Sequence, residues 1–251
     1  MVIRKTPEQL DKMALAGRVL AQVIQELGNA VKPGVTLKEL DEIAHRSIVL
    51  RGGVPSFLGY RGFPASICAS PNEMIVHGIP DDRALKEGDI FSADLGLILD
   101  GWHADSAHTF AVGEISEEAE RLLKVTQASL EAGIANCLPG KRIGDVANAI
   151  QNVAEAAGFN VVREFVGHGI GRSLHEDPQV PNHGKPGRGP ILEEGWVLAI
   201  EPMVNIGACE TEMLEDGWGV VTADGSLSAH FEHTVAVTAD GPRILTLLTG
   251  G

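Results

Sequence analysis

The chain has 251 residues, of which 44% are hydrophobic and only 4% aromatic, so it can bury a sizeable and mostly aliphatic core. Its formal charge of −14 argues against nucleic acid as the main partner, because phosphate binding requires basic patches. The first residues lack a signal-peptide core, no apolar run is long enough for a membrane helix, and three scattered cysteines predict no disulfide framework, so we expect a cytoplasmic protein.

Four helices are predicted from capping signals followed by apolar residues at helical spacing. Thr6-Pro7 and Thr36-Leu37-Lys38-Glu39 each combine a capping residue with a good first turn. Glycine at a helix end is a common stop signal, and Gly52 and Gly158 stand where the second and fourth helices should end. The predicted extents run from Thr6 to about Leu27, from Thr36 to about Gly52, from Ser116 toward Cys137, and from Ile143 to Ala157.

Strands are predicted where β-branched and other apolar residues cluster between turn signals. The Asp100-Gly101 pair, flanked by apolar segments, indicates a tight hairpin. Residues 178–190 are rich in proline and glycine and are interpreted as a long surface loop. The predicted strands cover residues 66–69, 89–99, 107–112, 161–166, 196–206, 218–222 and 229–237.

The chain repeats itself at an offset of about 106 residues. The segment from Pro33-Gly34 to Gly52 is echoed at an offset of 106 by the one from Pro139-Gly140 to Gly158, and an offset of 107, taken from Gly88 and Gly195, places Asp94 on Glu201. Strand ends also match, since His108-Thr109 resembles His233-Thr234. We therefore predict an α+β fold in a single catalytic domain, with pseudo-symmetric halves of roughly residues 1–112 and 113–251 whose sheets meet at a central site.

Five residues in apolar or glycine-rich settings can build one metal site. A carboxylate in such a setting is usually paired, hydrogen-bonded or bound to a metal. Four carboxylates and one imidazole suffice for two divalent cations that share a water, and they favour Mn, Fe(II) or Co. A structural calcium site is the alternative, which the imidazole and the buried positions disfavour. The five residues are Asp94, Asp105, His168, Glu201 and Glu232.

Histidines flanked by glycine form a second group of interest. His77 lies before Gly78, His168 lies between Gly167 and Gly169, and His175 follows seven residues later. Two His-Gly-Ile motifs in one chain favour a functional reading over a purely structural one. The remaining histidines are weaker candidates for a functional role. Of these, His108 and His233 occupy matching positions in the repeat and could orient nearby carboxylates. The others are His103, His183 and His230.

These motifs resemble those of type I methionine aminopeptidases, which have the pita-bread fold, over nearly the whole length of the chain. The resemblance implies removal of the initiator methionine from nascent proteins whose second residue is small. It implies two divalent ions, of Co, Mn or Fe(II), and a bridging hydroxide that attacks the scissile carbonyl. The most specific segments are His77-Gly78-Ile79-Pro80-Asp81-Asp82, Gly167-His168-Gly169-Ile170-Gly171, Ile200-Glu201-Pro202-Met203-Val204 and Phe231-Glu232-His233-Thr234.

The resemblance also implies roles for individual residues. Asp94 would chelate one metal, His168 and Glu201 the other, while Asp105 and Glu232 would bridge the two. Glu201 would act as general base, and His77 and His175 would contact the substrate and its transition state. The positions matching the family's methionine pocket are Tyr60, Phe63, Cys68, Leu174 and Trp218.

Three positions depart from the family pattern. Leu174 stands where an aromatic residue is common, and Phe63 stands where tyrosine is common. Both keep apolar volume, so a preference for methionine is expected to survive. Gly96 replaces a hydroxyl residue often found two places after the first aspartate, which removes a hydrogen bond that could support a ligand or a water.

Two other functions remain open at this point. A proline-specific peptidase of the same fold would use the same ligands, although such enzymes usually carry an additional N-terminal domain. A non-catalytic binding protein of this fold is disfavoured by the intact ligand set and by the acidic charge. For a methionine aminopeptidase we expect the N-termini of nascent proteins as partners, proximity to the ribosome, no nucleic acid or membrane partner, and a monomeric state.

Overall fold

Each half begins with a pair of helices, as the capping signals predict. The computed structural model describes residues 2–248. Thr6 and Thr36 each accept a hydrogen bond from the backbone three residues later and complete a capping box with Gln9 and Glu39. The four predicted helices are confirmed within a few residues, as α1 Pro7–Ala30, α2 Leu37–Leu50, α3 Glu117–Ala135 and α4 Ile143–Ala156.

Fifteen short strands occur within residues 2–248, and their pairings are antiparallel. In chain order they are β1 Val54–Pro55, β2 Ile67–Pro71, β3 Met74–Val76, β4 Ile90–Leu99, β5 Trp102–Ala111, β6 Asn160–Val161, β7 Gly167–Gly169, β8 Glu176–Val180, β9 Val197–Ile200, β10 Met203–Asn205, β11 Thr211–Met213, β12 Val220–Thr222, β13 Ser228–His230, β14 His233–Thr238 and β15 Gly241–Ile244.

Two larger sheets carry the centre of the molecule. In the first, β4 lies between β1 and β2 and also pairs with β5; in the second the order is β15-β14-β9-β7-β8. Smaller sheets have the orders β13-β10-β6 and β11-β12-β3. The hairpin of β4 and β5 turns at Asp100 and Gly101, which both have positive φ. The hairpin predicted from Asp-Gly is therefore confirmed.

Two predicted strands are wrong as continuous elements. The segment 196–206 is interrupted at Glu201-Pro202, and the segment 229–237 is interrupted at Phe231-Glu232. Proline has no N–H for a sheet ladder, which accounts for the interruption at Pro202 but not for the one at Phe231-Glu232. The Glu232 N–H instead donates to the Ala107 carbonyl of the other half, with an N···O distance of 2.9 Å.

Other boundaries also differ from the sequence predictions. Residues 161–166 contribute only a two-residue strand, the segment predicted to begin at 107 begins at Trp102, and the predicted loop 178–190 starts inside β8. Six strands were not predicted at all, namely β1, β3, β7, β8, β11 and β15, and the reason is clearest for β7 and β15. Both are short and contain glycine, so their own sequences carry little alternation, and their pairing depends on neighbours distant in sequence.

Each helix pair covers one side of the sheets. One core cluster packs α1 and α2 against β2 and β4, and another packs α3 and α4 against β9, β10 and β14. Helix α1 approaches the segment after β15 so closely that a Cβ on Gly17 would lie 2.1 Å from the Leu245 carbonyl oxygen. Among the described residues, no helix is long and apolar enough to cross a membrane.

Candidate active site

A cavity of about 220 Å³ lies between the two halves. It is lined by all five predicted ligand residues and by the two histidines predicted to contact the substrate. The convergence follows from topology, because β4 and β5 come from the first half whereas β7, β9 and β14 belong to the second. The seven predicted residues in its wall are Asp94, Asp105, His168, Glu201, Glu232, His77 and His175.

The first two carboxylates are diagonal neighbours on one face of the hairpin. In the register of β4 and β5, Asp94 lies opposite Ala107 and Asp105 lies opposite Gly96. Side chains two residues apart on a strand share a face, so Asp94 and Asp105 point to the same side of the sheet. The hairpin thus brings together two carboxylates that are eleven positions apart, as the sequence predicts.

The other three residues approach this face from the second half. Glu201 follows β9 and Glu232 precedes β14, so both lie at interruptions of strands. His168 in β7 places its Nε2 3.6 Å from Glu201 Oε1 and 3.8 Å from Asp105 Oδ2. One ligand atom each from Asp105, His168 and Glu232 lie within 4.8 Å of one another, which is close enough to hold a cation together.

Burial makes negative charge at this cluster costly. Desolvation and the neighbouring Asp105 raise the pKa of Asp94 well above its ordinary value. Desolvation raises the pKa of Asp105 to about 7, and desolvation together with nearby carboxylates raises the pKa values of Glu201 and Glu232. Desolvation lowers the pKa of His168 to about 3, so its imidazole is neutral and free to bind a metal.

A divalent cation fits this donor set. Within residues 2–248, Asp94 Oδ1, Asp105 Oδ1 and Glu232 Oε1 are buried without a hydrogen-bond partner, which is expensive for a carboxylate unless a cation satisfies it. A bound cation would also reverse the rise in the carboxyl pKa values. Carboxylate oxygens with one imidazole nitrogen suit first-row divalent ions. The residues present therefore fit the metals that the sequence implies.

Backbone contacts hold the two halves in register at this cluster. The Thr234 hydroxyl donates to the Asp105 carbonyl at 2.7 Å and accepts from the Asp105 N–H at 3.0 Å. The Ser106 hydroxyl donates to the Glu232 carbonyl at 2.7 Å. Because these bonds join the backbones that carry Asp105 and Glu232, they limit how far either carboxylate can move from the other.

Two histidines flank the carboxylates. His77 adopts a positive φ of 62°, and its ring meets Phe165 edge-on at 5.5 Å between centroids. The ring of His175 lies 4.2 Å from that of His168, and its Nδ1 is 2.9 Å from the Tyr60 hydroxyl. Desolvation lowers the pKa of His77 to about 4 and also lowers the pKa of His175. Both imidazoles are thus neutral near pH 7 and can donate a hydrogen bond.

The residues predicted to line a methionine pocket lie together. Phe63 and Trp218 meet edge-on at 5.1 Å between ring centroids. Cys68 lies opposite Asp94 in the pairing of β2 and β4, and burial with the nearby Asp94 raises the pKa of its thiol, which stays protonated. Phe63, Cys68 and Leu174 are buried in one apolar cluster, against which the half-buried Tyr60 and Trp218 pack; none of the five is among the residues that line the central cavity.

Gly96 is closely surrounded, so a larger residue at this position would contact its neighbours. A Cβ on Gly96 would lie 3.0 Å from Ser56 Cβ and 3.1 Å from Phe57 Cε1. Phe57 itself lines the central cavity and was not predicted from the sequence. In this chain the Phe57 ring therefore packs against Gly96, where the family often has a hydroxyl residue.

His230 lies closer to the carboxylates than its sequence context indicated. Its Nε2 is 3.9 Å from Glu201 Oε2 and, among the described residues, is buried without a hydrogen-bond partner. Asn182, also missed, donates from Nδ2 to the Glu201 carbonyl at 3.1 Å. The internal repeat held the signal for His230, because aligning Thr109 with Thr234 places His230 on Asp105.

The remaining histidines lie elsewhere. His108 packs between the rings of Phe110 and Phe231, and His233 Nδ1 is 2.8 Å from the Thr246 hydroxyl. Both line a separate cavity of about 750 Å³ on the helix side of the sheets. His103 Nδ1 is 2.9 Å from the Ser56 hydroxyl. The central cavity thus distinguishes among histidines that the sequence could not rank.

Comparison with known proteins identifies close relatives. A model of metallopeptidase family M24 matches residues 11–239. The methionine aminopeptidase of Clostridium perfringens is 53% identical over 248 residues, covering 99% of this chain and 100% of that protein. Methionine aminopeptidase 1 of Bacillus subtilis is 53% identical over 246 residues, covering 98% of this chain and 99% of that protein.

The same relationship holds among solved structures. The crystal structure of methionine aminopeptidase from Rickettsia prowazekii superposes with a TM-score of 0.97 at 42% identity, covering 98% of this chain and 100% of that one. The predicted α+β pita-bread fold, with two pseudo-symmetric halves around a central site, is therefore confirmed.

Proposed function

The chain belongs to metallopeptidase family M24, and on that premise we propose that it removes the initiator methionine from nascent proteins whose second residue is small. The observation that carries the proposal is a buried cluster of four carboxylates, three of which have an oxygen without a hydrogen-bond partner, set beside neutral histidines and an apolar cluster. Identity of about half the residues over the full length to named methionine aminopeptidases supports the same reaction.

Two divalent ions, of Mn, Fe(II) or Co, would be held by the predicted ligand set. Asp94 would bind one ion, His168 and Glu201 the other, and Asp105 and Glu232 would bridge them. When bound, the ions would lower the pKa of water toward about 7 and polarise the scissile carbonyl. The number of ions needed for turnover and their identity in the cell are part of this proposal.

The side chains around the cluster divide the remaining work. Glu201, whose carboxylate lines the cavity beside the proposed ions, would accept the proton of the attacking water. His77 and His175 are neutral donors on either side of the cluster, where they hydrogen-bond the scissile amide. A protonated Cys68 thiol takes no part as a nucleophile and serves as an apolar wall.

Substrate selection follows from the size of the site. The cluster of Tyr60, Phe63, Leu174 and Trp218 gives the methionine side chain an apolar environment. The cavity at the carboxylate cluster has a volume of only about 220 Å³, so a bulky second residue would be excluded there. As partners we propose the N-termini of nascent proteins near the ribosome, met in the cytoplasm by a monomeric enzyme.

A peptide panel tests the activity. Protein loaded separately with Mn, Fe(II) and Co is expected to release methionine from Met-Ala-Ser and to leave a Met-Lys peptide intact. No release from Met-Ala-Ser with any of the three metals would overturn the proposal. Cleavage of Xaa-Pro peptides in its place would assign the chain to the proline-specific peptidases.

The role of Glu201 has its own test. Glu201→Gln keeps the volume but cannot accept a proton, so kcat should fall about 100-fold or more while KM changes little. Glu210→Gln makes the same change at an exposed position and is expected to keep normal kcat. An unaltered kcat in Glu201→Gln would reject its role as the base.

A further inference from the structure

A buried ion pair lies beside the proposed active site and is not explained by it. Lys5 Nζ is 2.7 Å from Glu176 Oε2, and the two side chains are only 2% and 8% exposed. Removing two charges from water is costly, and replacing such a pair by apolar residues is often neutral or stabilising. Stability alone is therefore a weak reason for its presence.

The second oxygen of Glu176 holds a turn. Its Oε1 accepts from the Arg172 N–H at 2.9 Å and from the Ser173 N–H at 3.3 Å. The fit around Gly171 is tight, since a Cβ there would lie 2.6 Å from Glu176 Oε1 and 2.7 Å from Lys5 Cε. The turn of residues 172–176 is thus closed by one carboxylate whose other oxygen is bound to Lys5.

Lys5 is itself fixed to the second half of the chain. Its N–H donates to the Gly195 carbonyl at 2.8 Å, just before β9. Gly195 has a φ of +88°, and a Cβ there would lie 2.7 Å from the Lys5 carbonyl oxygen. The ammonium group therefore projects from a segment anchored beside the strand that leads to Glu201.

The residue that this arrangement places is His175. It precedes Glu176 directly, its ring lies 4.2 Å from the ring of His168, and its Nδ1 is 2.9 Å from the Tyr60 hydroxyl. We propose that Lys5 is a positioning residue that acts through Glu176 to hold the 172–176 turn and so aim His175 at the scissile amide. The inference rests on the proposed function, in which His175 contacts the substrate.

Arg4 provides a matched control in the same segment. Its guanidinium pairs with Glu193 at 3.4 Å, but these side chains are 58% and 54% exposed. Exposed pairs contribute little, so Arg4→Met should behave like the unmodified protein. Lys5→Met removes the buried charge with little change in volume, and Lys5→Arg keeps the charge.

The test measures kcat and KM on Met-Ala-Ser with Mn-loaded protein, together with Mn affinity by calorimetry. Lys5→Met is expected to lower kcat about tenfold or more, since small misplacements of catalytic groups are costly, with KM and Mn affinity nearly unchanged. Lys5→Arg should recover a large part of kcat. The decisive variant is Lys5→Met combined with His175→Ala, which should be no slower than His175→Ala alone.

The outcomes separate the two proposals. If the two substitutions lower kcat independently and multiply, or if Lys5→Met keeps normal kcat, the positioning role is wrong. If His175→Ala alone keeps normal kcat, the proposed role of His175 fails instead. Should Lys5→Met unfold because Glu176 is left charged and buried, Lys5→Met with Glu176→Gln removes both charges, and its kcat is read in the same way.

Discussion

Thr234 and Asp105 exchange two hydrogen bonds across the junction of the halves. The threonine hydroxyl donates to the Asp105 carbonyl and accepts from the Asp105 N–H. Thr109, its counterpart in the repeat, makes the same pair of bonds with His230, at 2.8 and 2.9 Å. Each half therefore supplies one buried hydroxyl that fixes a backbone position of the other half next to the carboxylate cluster.

Thr234→Val tests the importance of this junction. Valine has nearly the same shape but leaves the buried N–H and carbonyl of Asp105 without the hydroxyl, so the free energy of unfolding should fall by about 1–3 kcal/mol. Affinity for Mn should fall as well, because Asp105 is less well held. Thr126→Val removes another buried hydroxyl, whose partner is the helical carbonyl of Leu122, and should leave Mn affinity unchanged. Equal Mn affinity in both variants would contradict the expectation.

Metal binding should release protons. The pKa of Asp105 is raised to about 7 by burial, and the other three carboxyl pKa values are also raised, so the metal-free cluster holds protons that a cation displaces. Calorimetric titration with Mn in buffers of different ionisation enthalpy measures that number, which should be larger at about pH 6 than at about pH 8. A binding heat independent of buffer at both pH values would refute it.

Removal of the metal by a chelator should lower the thermal stability of the protein. A cation that binds only the folded protein stabilises it in proportion to the logarithm of its concentration over Kd. Treatment with EDTA should lower Tm by several degrees, and added Mn should restore it. Asp94→Asn should reduce that gain, whereas a Tm indifferent to both treatments would argue against a metal at this cluster.

The lowered pKa of His108 predicts that the free energy of unfolding decreases in mild acid. Burial lowers its pKa from 6.5 to about 4, so the unfolded chain binds a proton that the folded protein refuses between these values. Stability from this group is complete above about pH 6.5 and is lost as pH falls through about 4. Urea unfolding of metal-free His108→Gln should show a drop in free energy of unfolding between pH 7 and about pH 4.5 that is about 2 kcal/mol smaller than in the unmodified protein. An equal drop in both would show that another group is responsible.

Gly96→Ser should be harmful in this chain although a hydroxyl residue is common there in the family that it resembles. The new Cβ would lie 3.0 Å from Ser56 Cβ and 3.1 Å from Phe57 Cε1, so Ser56 and the Phe57 ring at the cavity wall must shift by a few tenths of an ångström. Overpacking of this kind costs about 1–3 kcal/mol, and a displaced Phe57 should raise KM for Met-Ala-Ser. Gly96→Ser with Phe57→Leu should recover KM, and failure to do so would show that the ring is not the cause.

The sequence alone predicted the helices and the ligand residues. Capping boxes at Thr6 and Thr36 and the Asp100-Gly101 turn depend on neighbours within a few residues, so their signals are complete in the local sequence. A carboxylate in an apolar segment is conspicuous for the same reason, since its cost is set by its immediate surroundings. The roles of Asp94, Asp105, His168, Glu201 and Glu232 as ligands stay predictions, but all five residues line one cavity.

Only the tertiary structure determined where the strands stop and which histidines matter. The strand at Glu232 is interrupted because its N–H donates to Ala107, a partner in the other half, and does not join the ladder. His230 near Glu201 and Lys5 against Glu176 likewise depend on residues far apart in the chain. Local composition determines which groups are expensive to bury, whereas the packing of the two halves determines which partner offsets that expense.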